Sequence, residues 1–367
     1  MAESSESACP PLREIYFYLT EACNLHCRHC WISPGFQGSD RSHSHLDPAL
    51  FAAILDQALP LGLTGVKLSG GEPLLHPALP DILRMAQARG LHLTLETNGV
   101  LCTEELAHAL AGYGRALVSV SLDGADAATH EWLRGVQGCF QATLEGLQQL
   151  VQAGLKPQLV FTLIRRNVEQ VTPIILLAER LGAGSIKFNL LQPTERGVLL
   201  HCSEEALTVR EMVELGSRVE RQAATGSHIP ILFHHPPAFR PLSRLFGESG
   251  GGCAVCGIKG ILGVLHDGYY ALCGIGQSTP DLVFGRADRV SLAAVWQGHP
   301  VLQAVRRDLP ARLQGICRAC LMQGICLGSC AAQNYYRHGN LWGPFWFCEQ
   351  AYQEHLFPAT RLRPEKR

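Results

Sequence analysis

Three cysteines stand close together in Thr20-Glu-Ala-Cys23-Asn-Leu-His-Cys27-Arg-His-Cys30-Trp31, a C-x3-C-x2-C triplet. With 15 cysteines in 367 residues, three at a fixed spacing are expected by accident about 0.02 times. A structural zinc site wants four ligands in tetrahedral closure, usually as C-x2–4-C pairs, and three crowded thiolates with no local fourth fit it poorly. Four irons held by three thiolates leave one iron open, and an open iron can bind a substrate or cofactor. A second array lies near the C-terminus. Cys317-x2-Cys320-x5-Cys326-x3-Cys330 is followed by Cys348, and Cys256-x11-Gly268-x4-Cys273 lies upstream. Four cysteines at such a spacing arise by accident about 0.001 times. Cys253, a C-x2-C partner of Cys256, is the candidate further ligand. The competing assignment is zinc knuckles on Cys253/Cys256 and Cys317/Cys320.

Between the arrays, short polar motifs follow β-rich runs. Ser69-Gly70-Gly71-Glu72-Pro73 offers backbone that a ligand can approach and a carboxylate that can accept from an ammonium group. Glu96-Thr97-Asn98-Gly99 and Ser121-Leu122-Asp123-Gly124 end the next runs, and Arg134-Gly135 with Gly138 precedes Phe140. Each has a plain structural explanation: a turn, a helix cap or a surface arginine. Their common position, after the C-terminal ends of successive strands, is where α/β barrels build active sites.

The elements that must position these residues are six repeats of a β-rich run followed by an amphipathic helix. Strands are expected at 14–19, 64–68, 91–96, 117–122, 158–163 and 185–190. Helices are expected at 47–59, 77–89, 103–112, 140–153, 167–181 and 204–223. Such a series implies a parallel sheet with right-handed crossovers. Val118 to Leu122 and Leu159 to Leu163 read as strands covered on both faces. Pro230, Pro236, Pro237, Pro241 and Ser249–Gly252 mark a connector. The expected organisation is a tail over 1–13, an α/β partial barrel over 14–224, a connector over 225–252, a small metal-nucleated domain over 253–350 and a C-terminal tail over 351–367 whose basic end, 361–367, is expected to fray. The 31 basic and 32 acidic residues leave a charge of −1, so there is no electrostatic footprint for nucleic acid or an anionic membrane. No apolar run approaches the ~20 residues of a spanning helix. No signal peptide opens the chain, so a cytoplasmic location is expected, where disulfides are disfavoured and 15 cysteines point to metal chemistry.

The triplet, GGEP-type loop and strand-end motifs resemble the radical S-adenosylmethionine (SAM) enzymes, whose fold is a partial (β/α)6 TIM-like barrel. The resemblance implies that Cys23, Cys27 and Cys30 hold a [4Fe–4S] cluster whose open iron chelates the methionine moiety of SAM. It further implies that the cluster cleaves SAM to a 5′-deoxyadenosyl radical, which abstracts hydrogen from substrate. Gly70, Gly71, Glu72, Pro73, Asn98, Ser121, Asp123 and Arg134 are then the cofactor-binding positions. Arg134 is placed near the SAM carboxylate, and Asn167 fits a recurring asparagine that caps the next helix. The second array resembles the SPASM extension of these enzymes, which carries two auxiliary [4Fe–4S] clusters. Carried over, Cys317, Cys320, Cys326 and Cys348 hold one cluster, while Cys256, Cys273 and Cys330 contribute to the other, with Cys253 completing it or leaving an open site. A relay of clusters is a credible electron path.

SPASM-type enzymes mostly modify ribosomally made peptides or proteins, so the leading expectation is a peptide maturase supplied by an external low-potential donor of flavodoxin or ferredoxin type. Sulfatase maturases carry an aspartate after the cysteine matching Cys273, and Gly274 stands there instead. Thirteen residues precede the first strand, so any leader peptide is expected to be read by a separate protein or by another surface. Ile15 to Cys23 is similar to the SynChlorMet-cassette maturases. Two other classes stay open: an enzyme acting on a small cofactor precursor, as haem-synthesis decarboxylases do, and a zinc-ordered binding protein. Crosslinking, epimerisation, oxidation and decarboxylation are not distinguished by sequence, and no general acid or base is assigned.

Overall fold

The computed structural model describes residues 9–37, 43–225, 227–246 and 256–364. Six expected strands form at or within a residue of their places: β1 (Glu14–Tyr18), β2 (Gly65–Ser69), β3 (His92–Thr97), β4 (Ala116–Ser121), β5 (Gln158–Leu163) and β6 (Ser185–Leu190). A seventh, β7 (Ile231–His234), arises inside the expected connector. Then come β8 (Ile261–Val264), β9 (Tyr269–Ala271) and β10 (Val283–Arg286). Among the described residues these make one sheet in the order β10-β9-β8-β1-β2-β3-β4-β5-β6-β7. From β8 through β7 the pairings are parallel, and β9 and β10 add antiparallel to the β8 edge.

The strands alternate rather than run apolar on both faces. Val118 and Val120 are buried in the core, as are Leu159, Phe161 and Leu163. Ser119, Ser121, Gln158, Val160 and Thr162 line an interior cavity. The expectation for 118–122 and 159–163 is corrected on this point. An open barrel keeps a wet interior, so only the helix-facing side of each strand needs apolar residues.

The helices that follow the strands are α1 (Pro48–Ala58), α2 (Leu79–Ala88), α3 (Glu104–Tyr113), α4 (Ala127–Arg134), α5 (Cys139–Gln152), α6 (Val171–Arg180), α7 (Arg196–His201) and α8 (Val209–Thr225). Their starts follow from local chemistry. Asp47 accepts the Ala49 N–H with Pro48 in the first turn, Thr103 accepts from Leu106, and Asp126 accepts from Thr129. Gly114 and Gly135 end α3 and α4 in the left-handed conformation. Phe51, Ile54 and Leu55 of α1, Ile82 of α2 and Leu147 of α5 join the strands' outward residues in one core.

The C-terminal segment does not stand apart as a metal-nucleated domain. Ile258, Leu262, Val264, Tyr270, Leu272 and Trp296 belong to the same core as β1, and Trp296 Nε1 donates to the Pro10 carbonyl at 3.0 Å. Sheet continuation lets a segment with few periodic apolar runs borrow a hydrophobic core from its neighbour. The expected frayed tail is corrected as well. Leu321 N–H donates to Arg361 at 2.8 Å and Arg363 N–H to Ala319 at 2.9 Å, with Phe357 packed on Phe239. Cys253 and residues 365–367 lie outside the described residues. Among the described residues no helix is long and apolar enough to cross a membrane.

Candidate functional site

The inner faces of β1 to β7 enclose a cavity of about 1870 Å³, counted with its open mouth. Tyr16 and Tyr18 of β1, Lys67 and Ser69 of β2, Glu96 of β3, Lys187 and Asn189 of β6 and His234 of β7 line it. Cys23, Cys27 and Cys30 line the same cavity, on a loop after β1.

Neighbouring elements hold that loop from three sides. The Gly71 N–H donates to Thr20 at 2.8 Å and the Glu72 N–H to Ala22 at 2.7 Å. A Cβ at Gly71 would stand 1.9 Å from the Ala22 carbonyl oxygen, and Gly70 sits at φ +125°, so this close passage needs glycine at both positions. The end of α4 supplies acceptors: His26 N–H donates to Arg134 at 3.1 Å and Arg28 N–H to Leu133 at 2.9 Å. Asn98 Nδ2 donates to Asn24 Oδ1 at 2.7 Å. Arg134 was expected at the site, but the helix that carries it and Asn24 were not.

Glu72 is buried, and its carboxylate accepts from Thr97 Oγ1 at 2.6 Å, Asn98 N–H at 2.8 Å and Leu74 N–H at 3.1 Å. Burial nonetheless pushes its carboxyl up to about 7. Glu72 and Asn98 thus stitch the β2 and β3 rims together, and Pro73 opens the short turn that Glu72 caps. Ser121 lines the cavity. Asp123 is fully buried; its Oδ1 accepts from the Thr162 N–H at 2.6 Å, and its Oδ2 is ion-paired with Arg134 Nη2 at 2.6 Å. Arg134 is 6% exposed and is no surface arginine; its Nη1 lies 3.7 Å from Cys27 Sγ. His29 stands 3.4 Å from Asp123, and burial lowers its imidazole to about 4. Asn167 does more than cap a helix, since its Nδ2 donates to the carbonyls of Asp123 and Thr162 at 3.0 and 2.9 Å.

The C-terminal thiols divide into two groups. Cys256, Cys273 and Cys330 line the same large cavity as the triplet. Cys317, Cys320, Cys326 and Cys348 ring a separate pocket of about 300 Å³ walled by Leu313, Ile316 and Phe357. The space beside Gly274 is taken: a Cβ there would meet the Tyr18 ring at 2.4 Å. That contact accounts for a glycine after Cys273.

Thiol chemistry in both places fits iron–sulfur ligation. Burial pushes Cys256 and Cys326 up to about 12 and Cys317 up to about 11, and it raises Cys23, Cys27, Cys273, Cys330 and Cys348 as well. Buried thiols become thiolates only beside a cation. Donors are already aimed at the sulfurs: Leu25 N–H at Cys23 (3.5 Å), Met322 N–H at Cys320 (3.3 Å) and Phe345 N–H at Cys317 (3.4 Å). Hydrogen bonds to sulfur are one of the levers that set cluster potential. Among the described residues no three His, Cys, Asp or Glu side chains converge as a single metal ion requires, and the thiols instead surround larger volumes.

Residues 17–175 match the model of the Radical SAM superfamily. The chain is 30% identical over 343 residues to the AdoMet-dependent heme synthase of Methanosarcina barkeri, spanning 89% of this chain and 93% of that protein. It is 29% identical over 361 residues to the mycofactocin maturase MftC of Mycobacterium tuberculosis, spanning 95% and 86%. The structure of Streptococcus suis SuiB bound to S-adenosylmethionine shares the fold, with a TM-score of 0.72 at 16% identity over 93% of this chain and 78% of that one.

Proposed function

This chain belongs to the radical SAM superfamily, and we propose that it is a SPASM-type maturase that modifies a ribosomally made peptide or protein. The observation that carries this reading is the shared cavity, into which Cys23, Cys27 and Cys30 face together with Cys256, Cys273 and Cys330. The cavity is open at its mouth and lined from Tyr16 and Lys67 to Gln192 and Gln333, which suits a cofactor and a chain segment side by side. The likeness to the mycofactocin maturase supports a peptide substrate.

On this reading the first trio holds the cluster that binds SAM, and Cys317, Cys320, Cys326 and Cys348 hold one auxiliary cluster. Cys256, Cys273 and Cys330, with Cys253, hold the other. When bound, the first cluster supplies the electron that cleaves SAM to methionine and a 5′-deoxyadenosyl radical. The chain's own residues hold the site still. Gly70 and Gly71 let the cluster loop and a ligand approach the backbone, while Glu72 and Asn98 lock the rims of β2 and β3. Arg134, fixed by Asp123, keeps a positive charge beside Cys27, and Ser121 offers a hydroxyl on the cavity wall. An external flavodoxin- or ferredoxin-type donor provides electrons, a separate protein reads any leader, and the reducing cytoplasm suits the many thiols.

A second reading, action on a small tetrapyrrole precursor, is favoured by the likeness to the heme synthase of M. barkeri. Anaerobic reconstitution with iron, sulfide and zinc analysis and a dithionite-driven 5′-deoxyadenosine assay tests the common core. About twelve irons per chain with SAM cleavage are expected. About four irons with zinc elsewhere would remove the auxiliary relay, and zinc alone without cleavage would reject the mechanism.

A further inference from the structure

We propose that Lys187, on the inner face of β6, anchors a carboxylate of the substrate from the wall of the barrel cavity. Lys187 lines the large cavity and also the adjoining cleft of about 1050 Å³ that reaches Phe345 and Trp346. Its strand neighbours in register are Val160 and Leu232, neither of which offers a side-chain acceptor. Among the described residues half-buried Lys187 has no hydrogen-bonded acceptor and no carboxylate within 4.0 Å, so its ammonium is left free to meet a ligand in the cavity that it lines.

The surrounding charges are engaged elsewhere. Glu96, the carboxylate that acts on Lys187, accepts from Lys67 Nζ at 3.0 Å and from Ser69 Oγ at 3.2 Å. Lys67 also lies over the Tyr16 ring and is the lysine that acts on Cys256 and Cys273. Arg240 adds a further positive field at Lys187 but gives its own donors to the Phe233 and His235 carbonyls. Glu14, the other carboxylate near Lys67, is raised by burial toward its neutral form. Two residues along the same strand face, Asn189 lines the same two cavities and carries an amide that can donate. A single cation with one amide donor suits a monoanion such as a carboxylate and is sparse for a phosphate dianion.

Two substrates present that group: a peptide, through an acidic side chain, and a tetrapyrrole, through a propionate. This inference rests on the radical SAM reading for the use of the cavity and deepens it by discriminating those sources. The test titrates cluster-loaded full-length protein with dansyl-labelled, C-terminally amidated (Glu-Gly)5, with its (Gln-Gly)5 counterpart, and with iron coproporphyrin III. Binding is followed by fluorescence anisotropy or absorbance for wild type, Lys187→Met and Lys187→Arg, with and without saturating SAM.

At least one carboxylate probe is expected to bind wild type 10-fold or more tightly than Lys187→Met, with Lys187→Arg restoring affinity to within about 3-fold. Preference for (Glu-Gly)5 over (Gln-Gly)5 identifies a peptide carboxylate, and binding of the porphyrin identifies a propionate. Equal binding by Lys187→Met, failure of both carboxylate probes on wild type, or displacement by SAM would each overturn the assignment. Should Lys187→Met not fold, Lys187→Gln takes its place with the same threshold. The parent reading fails by a separate result, the absence of 5′-deoxyadenosine from loaded wild-type protein.

Discussion

The barrel cavity and the small C-terminal pocket both bear thiols, and they differ in what surrounds the sulfur. The barrel cavity of about 1870 Å³ has polar and charged walls and holds the Cys23, Cys27, Cys30 trio. The pocket ringed by Cys317, Cys320, Cys326 and Cys348 measures about 300 Å³ and is walled by apolar side chains. Three thiols beside open space leave room for a ligand to complete the coordination; four thiols in an apolar shell close it. On the proposed function the first is suited to chemistry and the second to electron storage with structural anchoring, since apolar shielding tunes potential but admits no substrate.

The largest expected effect tests that division directly. Replacing Cys23, Cys27 and Cys30 together with alanine should abolish SAM cleavage and lower iron from about twelve to about eight per chain, read by metal analysis and product assay. Complete iron loss would mean that the two cavities assemble together and that the contrast is false. In the second pocket, Cys317→Ser should lower the melting temperature more than any single cysteine change in the triplet, because Cys317 belongs to the main core and the triplet does not. Equal shifts in a thermal scan would remove the distinction.

Arg134→Met comes next. It strips the partner from a fully buried Asp123 and should cost about 3–5 kcal/mol by chemical denaturation. Gly71→Ala should cost about 1–3 kcal/mol and displace the cluster loop, because its new methyl would overlap the Ala22 carbonyl. SAM affinity, followed by equilibrium dialysis, should weaken in this variant while the second pocket keeps its iron. The smallest effect is expected for Asn334→Ala. It removes the bond from Asn334 Nδ2 to the Gly328 carbonyl at 3.0 Å behind the second pocket, which should cost about 1 kcal/mol and leave SAM binding untouched. A change in SAM affinity there would show that the cavities communicate.

Legibility in the sequence followed the range of the interactions. The six strands and their helices were readable because period-two and 3.6-residue patterns are local. The cysteine arrays were readable because ligands on one loop carry their spacing in the chain. Polar alternation in Ser119-Val-Ser121 and in Lys187-Phe-Asn189 also signalled the cavity wall, but reading strand 4 as apolar on both faces hid it. The short helix α4 was missed, although Asp126 and Gly135 mark its ends. The strand β7 was obscured by prolines on either side of a four-residue run.

Thiol number, spacing and the strand-end motifs were therefore determined by sequence alone, because the chemistry of a ligand is carried by its residue type and local spacing. Only the tertiary structure decided which thiols share a cavity, since Cys273 and Cys330 reach the triplet's cavity from distant parts of the chain. It also decided that Asp123 meets Arg134 under the rim and that Lys187 faces the interior unpaired. Those outcomes depend on how the end of α4 folds back under the preceding strand and on the direction of a strand's face, and neither is written in a local pattern.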